Sequence, residues 1–280
     1  MSRNASKSTD LRTRKKSGKT MADKADRQIL YEKAVQCPEA VINFVDETYR
    51  QIRGKQARWL REDFCGAAAT ACEWVLRRSV NHAIGVDLDQ EVLRWGREHH
   101  VRKLGTAARR IELVNENVLT VAGRPADIVL ATNFSFWIFK DRTTLRRYFE
   151  NACRGLKSDG IMILDAYGGP DASRQIRERT ALKGFTFVWH QESYDPITGD
   201  LLCHIHFTFP DGSRINKAYT YDWRLWTLPE LRELLLEAGF ARVGIYWEGA
   251  DKDGEGNGEY TLTEHGEADP CYVIYIVAEK

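Results

Sequence analysis

The sequence predicts an α/β fold, in which a mostly parallel β-sheet is covered by helices on both faces and extended by an antiparallel insertion. Over the first 166 residues, short apolar runs alternate with amphipathic stretches, a pattern typical of consecutive strand and helix units. Between residues 185 and 221, strand patterns then follow each other with only turns between them. The 280 residues, 43% of them hydrophobic, suffice for one large domain with insertions.

The parallel part of the sheet is expected to contain five strands connected by helices. The predicted strands cover residues 58–64, 83–87, 111–116, 126–132 and 161–166. The predicted helices cover residues 67–77, 90–102 and 142–155, and residues 156–160 are expected to form a turn.

The remaining elements are expected to be largely antiparallel. Turn sequences rich in Pro, Asp and Gly separate three predicted hairpin strands, at residues 185–190, 201–209 and 215–221. After them come a helix at 229–238, ended by Gly239, and two strands at 242–247 and 272–278. Since no helix pattern separates the last two strands, we expect them to pair antiparallel.

Charge is balanced over the whole chain but uneven at its two ends. Lys and Arg total 41 against 40 Asp and Glu, so the net charge of +1 provides no general attraction for nucleic acid or anionic lipid. Residues 1–25 are predicted to be a disordered basic tail, and the acidic stretch after Tyr246 a long loop. No apolar run approaches the roughly 20 residues that span a bilayer, which favours a cytoplasmic protein.

The cysteine pattern favours reduced thiols over a metal site. The six cysteines are scattered, and no two of them form a Cys-x-x-Cys pair. We therefore expect no structural metal.

Two strand ends carry residues suited to an adenosine-containing ligand. The first strand runs into a turn of small residues that begins at Glu62, and the second ends at Asp87, whose carboxylate could accept hydrogen bonds from both ribose hydroxyls. A pyrophosphate-binding Gly-x-Gly-x-x-Gly loop is not formed, because only Gly66 is present there. The turn therefore disfavours NAD, and the phosphate loop of P-loop ATPases is absent as well.

These residues resemble the motifs of class I S-adenosylmethionine-dependent methyltransferases. Glu62-Asp-Phe-Cys-Gly66 is similar to their first motif, Asp/Glu-x-Gly-x-Gly-x-Gly, and Gly85-Val-Asp-Leu-Asp89 to their second. The longer run Leu60-Arg-Glu-Asp-Phe-Cys-Gly66, together with Asn133-Phe-Ser and Tyr221-Asp-Trp-Arg-Leu-Trp-Thr-Leu-Pro229, resembles a bacterial subgroup of this family. The resemblance implies a Rossmann-like three-layer sandwich with seven strands in the order 3-2-1-4-5-7-6, and S-adenosylmethionine as cofactor.

The resemblance also implies a set of cofactor-binding residues. These are Tyr31, Glu62, Phe64, Cys65, Gly66, Ala67, Asp87, Leu88, Asn117, Val118, Asn133 and Phe134. Phe64 and Ala68 stand where the family has its outer glycines, so the loop is expected to take a different path or to hold the cofactor less closely. Residues 26–57 are predicted to form a helical lid, and residues 58–280 the methyltransferase domain.

The insertion, at about residues 170–226, is predicted to cover the substrate. Its aromatic and polar side chains suggest four substrate contacts: Tyr194, His206, Trp223 and Arg224. Asn133, Tyr167 and His204 are the candidate catalytic residues. Alternatively, Arg224 only pairs with Glu230 or Glu233, and the two histidines are half-buried surface residues.

The predicted activity is methyl transfer to a small-molecule acceptor, with an amine favoured. One alternative is a nucleic-acid methyltransferase, but residues 133–136 lack the Asn-Pro-Pro-Tyr/Phe signature used on flipped bases. Another is a protein that binds the cofactor without turnover, since in-line displacement needs no obligatory catalytic side chain. The sequence does not define an oligomeric state.

Overall fold

A computed structural model describes residues 18–252 and 256–280. Its α-helices are α1 Met21–Lys24, α2 Arg27–Val35, α3 Pro38–Arg53, α4 Ala69–Arg77, α5 Gln90–His99, α6 Arg142–Gly155 and α7 Leu228–Glu237. Its strands are β1 Trp59–Asp63, β2 His82–Asp87, β3 Ile111–Asn115, β4 Ala126–Ala131, β5 Leu156–Gly168, β6 Ile176–Leu182, β7 Phe185–Tyr194, β8 Asp200–Thr208, β9 Arg214–Arg224, β10 Arg242–Ala250, β11 Gly256–Thr263 and β12 Tyr272–Glu279. Short 3-10 helices cover Val101–Arg110, Ser135–Ile138 and Pro170–Ser173.

The main sheet has eight strands in the order β11-β10-β12-β5-β4-β1-β2-β3. Strands β1 to β5 pair in parallel, whereas β12 pairs antiparallel with both β5 and β10. The predicted order 3-2-1-4-5-7-6 is therefore confirmed for seven strands. The predicted acidic loop is wrong in part, because it contributes β11, the eighth strand.

Helices cover both faces of this sheet, as the predicted three-layer sandwich requires. On one face, Ile42 of α3, Trp74 of α4 and Leu93 of α5 are fully buried in one core. On the other face, Phe149 of α6 and Leu234 of α7 are fully buried in a second core. Both cores pack on the central parallel strands, so the carboxyl ends of those strands are held at one edge of a rigid sandwich.

The antiparallel insertion forms a sheet of its own, in the order β6-β7-β8-β9. The sequence did not predict β6, because its exposed residues Arg177, Glu178 and Arg179 break the alternation of polar and apolar positions. Residues 156–160, predicted as a turn, are instead the start of β5. The second sheet follows directly after the carboxyl end of β5, which places it beside the edge where ligands bind in open α/β sheets.

The N-terminal helices dock on this second sheet. The Met21 amide donates to Asp211 at 2.7 Å, and the Ala22 amide donates to Ser213 at 3.0 Å. Buried Leu30 of α2 packs with Ile205 and Phe207 of β8. The predicted tail is thus too long at residues 21–25, and its first 17 residues lie outside the described part of the chain. Within the described ranges, no helix combines the length and apolarity needed to cross a membrane.

Candidate active site

The turn after β1 contains three residues in the left-handed conformation that glycine favours, and only one of them is a glycine. Phe64, Gly66 and Ala68 have φ angles of 57°, 51° and 59°, all in the left-handed region. Non-glycine residues pay roughly 1–2 kcal/mol each for this conformation. Phe64 and Ala68 thus adopt a backbone geometry that glycine favours, although neither is a glycine.

Hydrogen bonds between strands hold this turn in place. The Gly66 amide donates to Asp87 Oδ2 at 2.8 Å, and the Cys65 amide donates to the Val86 carbonyl at 3.0 Å. A Cβ built on Gly66 would meet no atom within 4 Å, so the backbone here borders open space. A ligand can therefore approach this stretch of main chain directly.

A buried carboxylate, Glu62, and a half-buried one, Asp87, flank the turn. Glu62 accepts a hydrogen bond from the Ala71 amide at 2.9 Å, near the start of α4, and burial raises its pKa to about 8. Asp87 also accepts from the Asp89 amide at 2.9 Å, and burial raises its pKa above the usual range. Burial disfavours the ionised form of both carboxylates. A cationic ligand next to them would stabilise that form, so its binding would be favourable.

The cofactor cleft is the cavity of about 440 Å³ that borders this turn. Five carboxylate side chains and one guanidinium line it, namely those of Asp26, Glu62, Asp87, Asp89, Glu91 and Arg27. S-adenosylmethionine, with its sulfonium and ammonium groups, suits such an acidic cleft, whereas the pyrophosphate of NAD does not. The charges and the exposed backbone at Gly66 thus fit the cofactor that the motifs imply.

Helix α2 closes the cleft from above and ties it to the second sheet. Its N-cap residue Asp26 accepts a hydrogen bond from the Trp95 indole of α5 at 3.0 Å, and Glu32 lies 2.7 Å from His100. On its other side, the Tyr219 hydroxyl of β9 donates to the Arg27 carbonyl at 3.3 Å. The helix predicted as a lid is therefore held by contacts to both halves of the site.

The structure brings seven of the predicted cofactor residues to the cleft, which are Tyr31, Glu62, Phe64, Cys65, Gly66, Asp87 and Asn133. It places the other five elsewhere. Ala67 and Val118 are buried in the protein, Leu88 is 65% exposed, and Asn117 accepts the Leu119 amide within its own turn. Phe134 lines a neighbouring cavity instead.

The cleft also contains residues that the sequence analysis missed. Val92 and Trp95 of α5 line it, whereas Asn117 and Val118 do not. Val92 and Trp95 are three residues apart on the helix that follows Asp87, so they share one helical face. This spacing could have indicated from the sequence that both face the cleft.

A second cavity, the acceptor pocket, has a volume of about 270 Å³ and lies between the two sheets. Aromatic rings form most of its walls, including Tyr167, Phe187, Trp189 and Trp223. Trp223 and Tyr221 are stacked, with ring centroids 4.3 Å apart. Asp171 and Glu178 also line the pocket, and no Lys, Arg or His does so among the residues described.

The cofactor cleft and the acceptor pocket are neighbours. Tyr31, Asn133 and Tyr221 line both of them. Asn133 and Phe134 follow β4 with φ angles of 58° and 56°, so two consecutive non-glycine residues adopt the left-handed conformation. The peptide segment at the junction of the two cavities is therefore strained.

Arg224 and Tyr194, which were predicted to contact the substrate, do not reach the acceptor pocket. The Arg224 guanidinium lies 2.8 Å from Glu230, donates to the Lys140 carbonyl at 3.2 Å and covers the Trp226 ring. Its alternative role as a structural ion pair is therefore the observed one. Tyr194 packs at the margin of a core cluster and is not part of the pocket wall. Of the predicted substrate contacts, only Trp223 lines the pocket.

His204 and His206 lie on the opposite face of the second sheet. Ile205 between them lines the pocket, and side chains alternate along a strand. His204 Nδ1 lies 2.9 Å from the Thr220 hydroxyl, and His206 accepts the Lys217 amide at 3.1 Å. The prediction that they contact cofactor or substrate is therefore wrong, although the two side chains do share one face.

The histidine cluster does not form a metal site. His190 joins the two histidines, with ring centroids 5.5–6.0 Å apart. Within residues 18–252 and 256–280, no group of three metal-binding side chains is arranged to hold an ion.

The fold described above is that of class I methyltransferases. A S-adenosylmethionine-dependent methyltransferase from Clostridium acetobutylicum ATCC 824 matches it with a TM-score of 0.67 at 15% identity, over 90% of this chain and 96% of that one. The sugar N-methyltransferase KedS8 from Streptoalloteichus sp ATCC 53650 matches with a TM-score of 0.61 at 18% identity, over 100% and 99%. The amino pentose methyltransferase CalS10 from Micromonospora echinaspora matches with 0.64 at 14%, over 90% and 95%.

A sequence family extends this result from fold to activity. Residues 63–164, which include Gly66, Asp87 and Asn133, match the family model of a methyltransferase domain. No curated protein matches the chain. The matching domain and the shared fold support the methyltransferase activity and the S-adenosylmethionine cofactor that the sequence motifs predicted.

Proposed function

We propose that this enzyme methylates an amine nitrogen of a small molecule that binds in the acceptor pocket. The observation that carries the proposal is the junction of the two cavities at Tyr31, Asn133 and Tyr221. An acceptor in the pocket would lie next to a cofactor in the cleft, and such proximity supplies much of the rate enhancement in a displacement reaction.

The chemistry of the pocket walls favours an amine over a phosphate or carboxylate acceptor. Asp171 and Glu178 attract a cation, and the aromatic faces of Trp189, Tyr221 and Trp223 stabilise one. Asp171 is already paired with Arg174 at 2.8 Å, which leaves the exposed Glu178 as the main attractive charge. Deeper in the pocket, desolvation favours the neutral amine, the form whose lone pair can attack.

S-adenosylmethionine, when bound, supplies an electrophilic methyl carbon. On the cofactor side, Asp87 would accept hydrogen bonds from the ribose hydroxyls, and Glu62 would attract the ammonium group. On the acceptor side, the aromatic walls and α2 exclude water from the junction. Asn133 and Tyr221 would orient the two reactants there, so the chain acts mainly by positioning and desolvation.

The similar structures support the same type of acceptor. KedS8 is described as a sugar N-methyltransferase, CalS10 as an amino pentose methyltransferase and MtfA as a glycopeptide N-methyltransferase. The acidic and aromatic pocket of this chain suits acceptors that carry an amine.

The first test combines calorimetry with an acceptor panel. The purified chain should bind S-adenosylmethionine and S-adenosylhomocysteine, and it should not bind NAD. Amines should then be compared with alcohols of the same carbon skeleton, with the methylated product detected by mass spectrometry. Methylation of the amine member of a pair supports the proposal. Methylation of alcohols alone would contradict the amine assignment, and cofactor binding without turnover on the whole panel would favour a non-catalytic binder.

The nucleic-acid alternative requires a truncation that spares the docked helices. Since Met21 and Ala22 bind the second sheet, only residues 1–17 should be removed. Unchanged cofactor affinity and unchanged amine methylation in this variant would support a small-molecule enzyme. Methylation of RNA that disappears with the 17 residues would contradict it.

A further inference from the structure

The strained segment at the junction of the two cavities is held by a single carboxylate. Asp165 of β5 accepts hydrogen bonds from the Asn133 amide at 2.7 Å and the Phe134 amide at 2.8 Å, one at each oxygen. Both donors are the left-handed residues after β4. This carboxylate thus accepts hydrogen bonds from the amides of two residues whose left-handed backbone conformation is unfavourable without such contacts.

The clamped segment controls both cavities. Asn133 lines the cofactor cleft and the acceptor pocket, and Phe134 lines the pocket. The Phe134 ring packs against Tyr167, with centroids 4.8 Å apart, and against Trp137 at 5.4 Å. A change in the φ angles of these two residues would therefore move the wall that the cofactor and acceptor sites share.

Asp165 itself touches neither ligand site. It is buried, lines neither cavity, and makes no ion pair with Lys or Arg among the described residues. The titratable groups that interact with it are tyrosines, Tyr31 of α2, Tyr260 of β11 and Tyr275 of β12. Its polar partners are thus the two amides, and its charge has no cationic partner.

We propose that Asp165 is a positioning residue of the methyl transfer, which fixes the loop of residues 132–135 through both amides and so aligns the acceptor with the cofactor. This inference rests on the proposed function for its kinetic consequence, but the clamp itself does not. The ionised carboxylate offers a charged oxygen acceptor to each amide at once. The protonated form has lost negative charge at both oxygens, so its hydrogen bonds to the two amides are weaker. Burial raises the pKa of Asp165 to about 7, so the change falls in an accessible range.

The test compares Asp165→Asn with a matched control, Asp127→Asn. Asp127 is also buried and also accepts two consecutive amides, from Arg58 at 2.9 Å and Trp59 at 2.8 Å. It lies at the start of β4, far from both cavities along the strand. We expect Asp165→Asn to lower kcat by about 10- to 100-fold and to weaken cofactor binding by no more than a few fold, and Asp127→Asn to lower stability without changing kcat.

The pH profile separates positioning from a loss of stability. Wild-type kcat should fall as pH decreases through about 7 by more than protonation of the acceptor amine accounts for, while Asp165→Asn should stay low and show only the amine-dependent part of the fall. Asp127→Asn should retain the wild-type profile. Wild-type kcat in Asp165→Asn, or the same pH dependence in all three proteins, would overturn the proposal.

An amide measurement distinguishes this inference from the proposed function. In nitrogen-15 NMR spectra of the wild-type chain, the Asn133 and Phe134 amides should shift with an apparent pKa near 7, and the shift should vanish in Asp165→Asn. Amide shifts and hydrogen-exchange protection at Asn133 and Phe134 that are the same in the wild type and in Asp165→Asn would overturn the clamp. If the clamp titrates but no amine is methylated by the wild-type chain, the proposed function fails and the kinetic role of Asp165 fails with it.

Discussion

The cofactor cleft and the acceptor pocket share three residues, yet they are built in opposite ways. The cleft is formed by turns that directly follow β1 and β2, with main-chain amides and carboxylates at its surface. The pocket is formed largely by aromatic side chains from β5, β7, β9 and α2. One cavity depends on backbone conformation and charge, and the other on side-chain packing between two sheets.

This difference explains how one scaffold can keep its cofactor and change its acceptor. Left-handed residues and carboxylates stand at the strand ends of the sheet, where ligands bind in open α/β folds. The pocket walls come from an insertion whose outer edge, β6, is mostly exposed. Substitutions in the insertion should therefore alter acceptor use without altering cofactor binding, and the following predictions test that separation.

The largest effect is expected at Asp87. Replacing it with alanine removes the acceptor for the Gly66 amide and for the ribose hydroxyls, so cofactor affinity should fall by about 100-fold or more in calorimetry. Leu88→Ala is the control, because Leu88 is exposed and does not line the cleft. Equal affinity losses in the two variants would contradict the assigned ribose site.

Trp223→Leu should act on the acceptor side alone. It removes a stacked wall of the pocket, so kcat/KM for the amine should fall by about 10- to 100-fold while cofactor Kd stays within about twofold. Trp226→Leu is the control, since Trp226 is equally buried but lies outside the pocket. A parallel loss of cofactor affinity in Trp223→Leu would break the separation between the two cavities.

Stability should depend on pH through Glu62. Its pKa is raised to about 8 in the folded state, so the folded state holds a proton that the unfolded state has released. The free energy of unfolding should therefore decrease as pH rises from about 5 to about 8, by up to about 4 kcal/mol at roughly 1.4 kcal/mol per pH unit. Urea titrations of Glu62→Gln should show a flatter dependence. An unchanged slope would contradict the raised pKa.

Glu178→Gln should have the smallest effect. Glu178 is exposed at the pocket edge, so loss of its charge should raise KM for a cationic amine by only a few fold, most visibly at low salt. Glu192→Gln removes the same charge from the opposite face of the sheet and should leave KM unchanged. Similar KM values in both variants and the wild type would rule out electrostatic attraction by Glu178.

The cofactor side could be predicted from the sequence because its determinants are local. Glu62, Gly66 and Asp87 stand at fixed distances from strand ends, and the structure brings all three to one cleft. The positive φ angles of Phe64 and Ala68 could not be predicted from residue type. Tertiary contacts hold these residues in the left-handed conformation, and a residue-by-residue preference does not include such contacts.

The acceptor side depended on information that the sequence does not provide. His204 and His206 were correctly placed on one face of a strand, but the face that meets the core is set by the partner elements. Glu178 and Asp171 were missed because β6 and the preceding 3-10 helix have no recognisable pattern. Similarly, β11 was hidden in an acidic stretch, where Tyr260 packs against Phe44 and Tyr275.

The docking of the N-terminal helices also constrains how the chain folds during synthesis. Met21 and Asp211 are 190 residues apart, and Tyr219 lies 192 residues after Arg27, whose carbonyl it contacts. These helices are translated long before β9, and their binding surface is complete only after about residue 224 has emerged. The parallel sheet can begin to form earlier from its local strand and helix units. The helices α1 and α2 are therefore among the last elements to reach their final position.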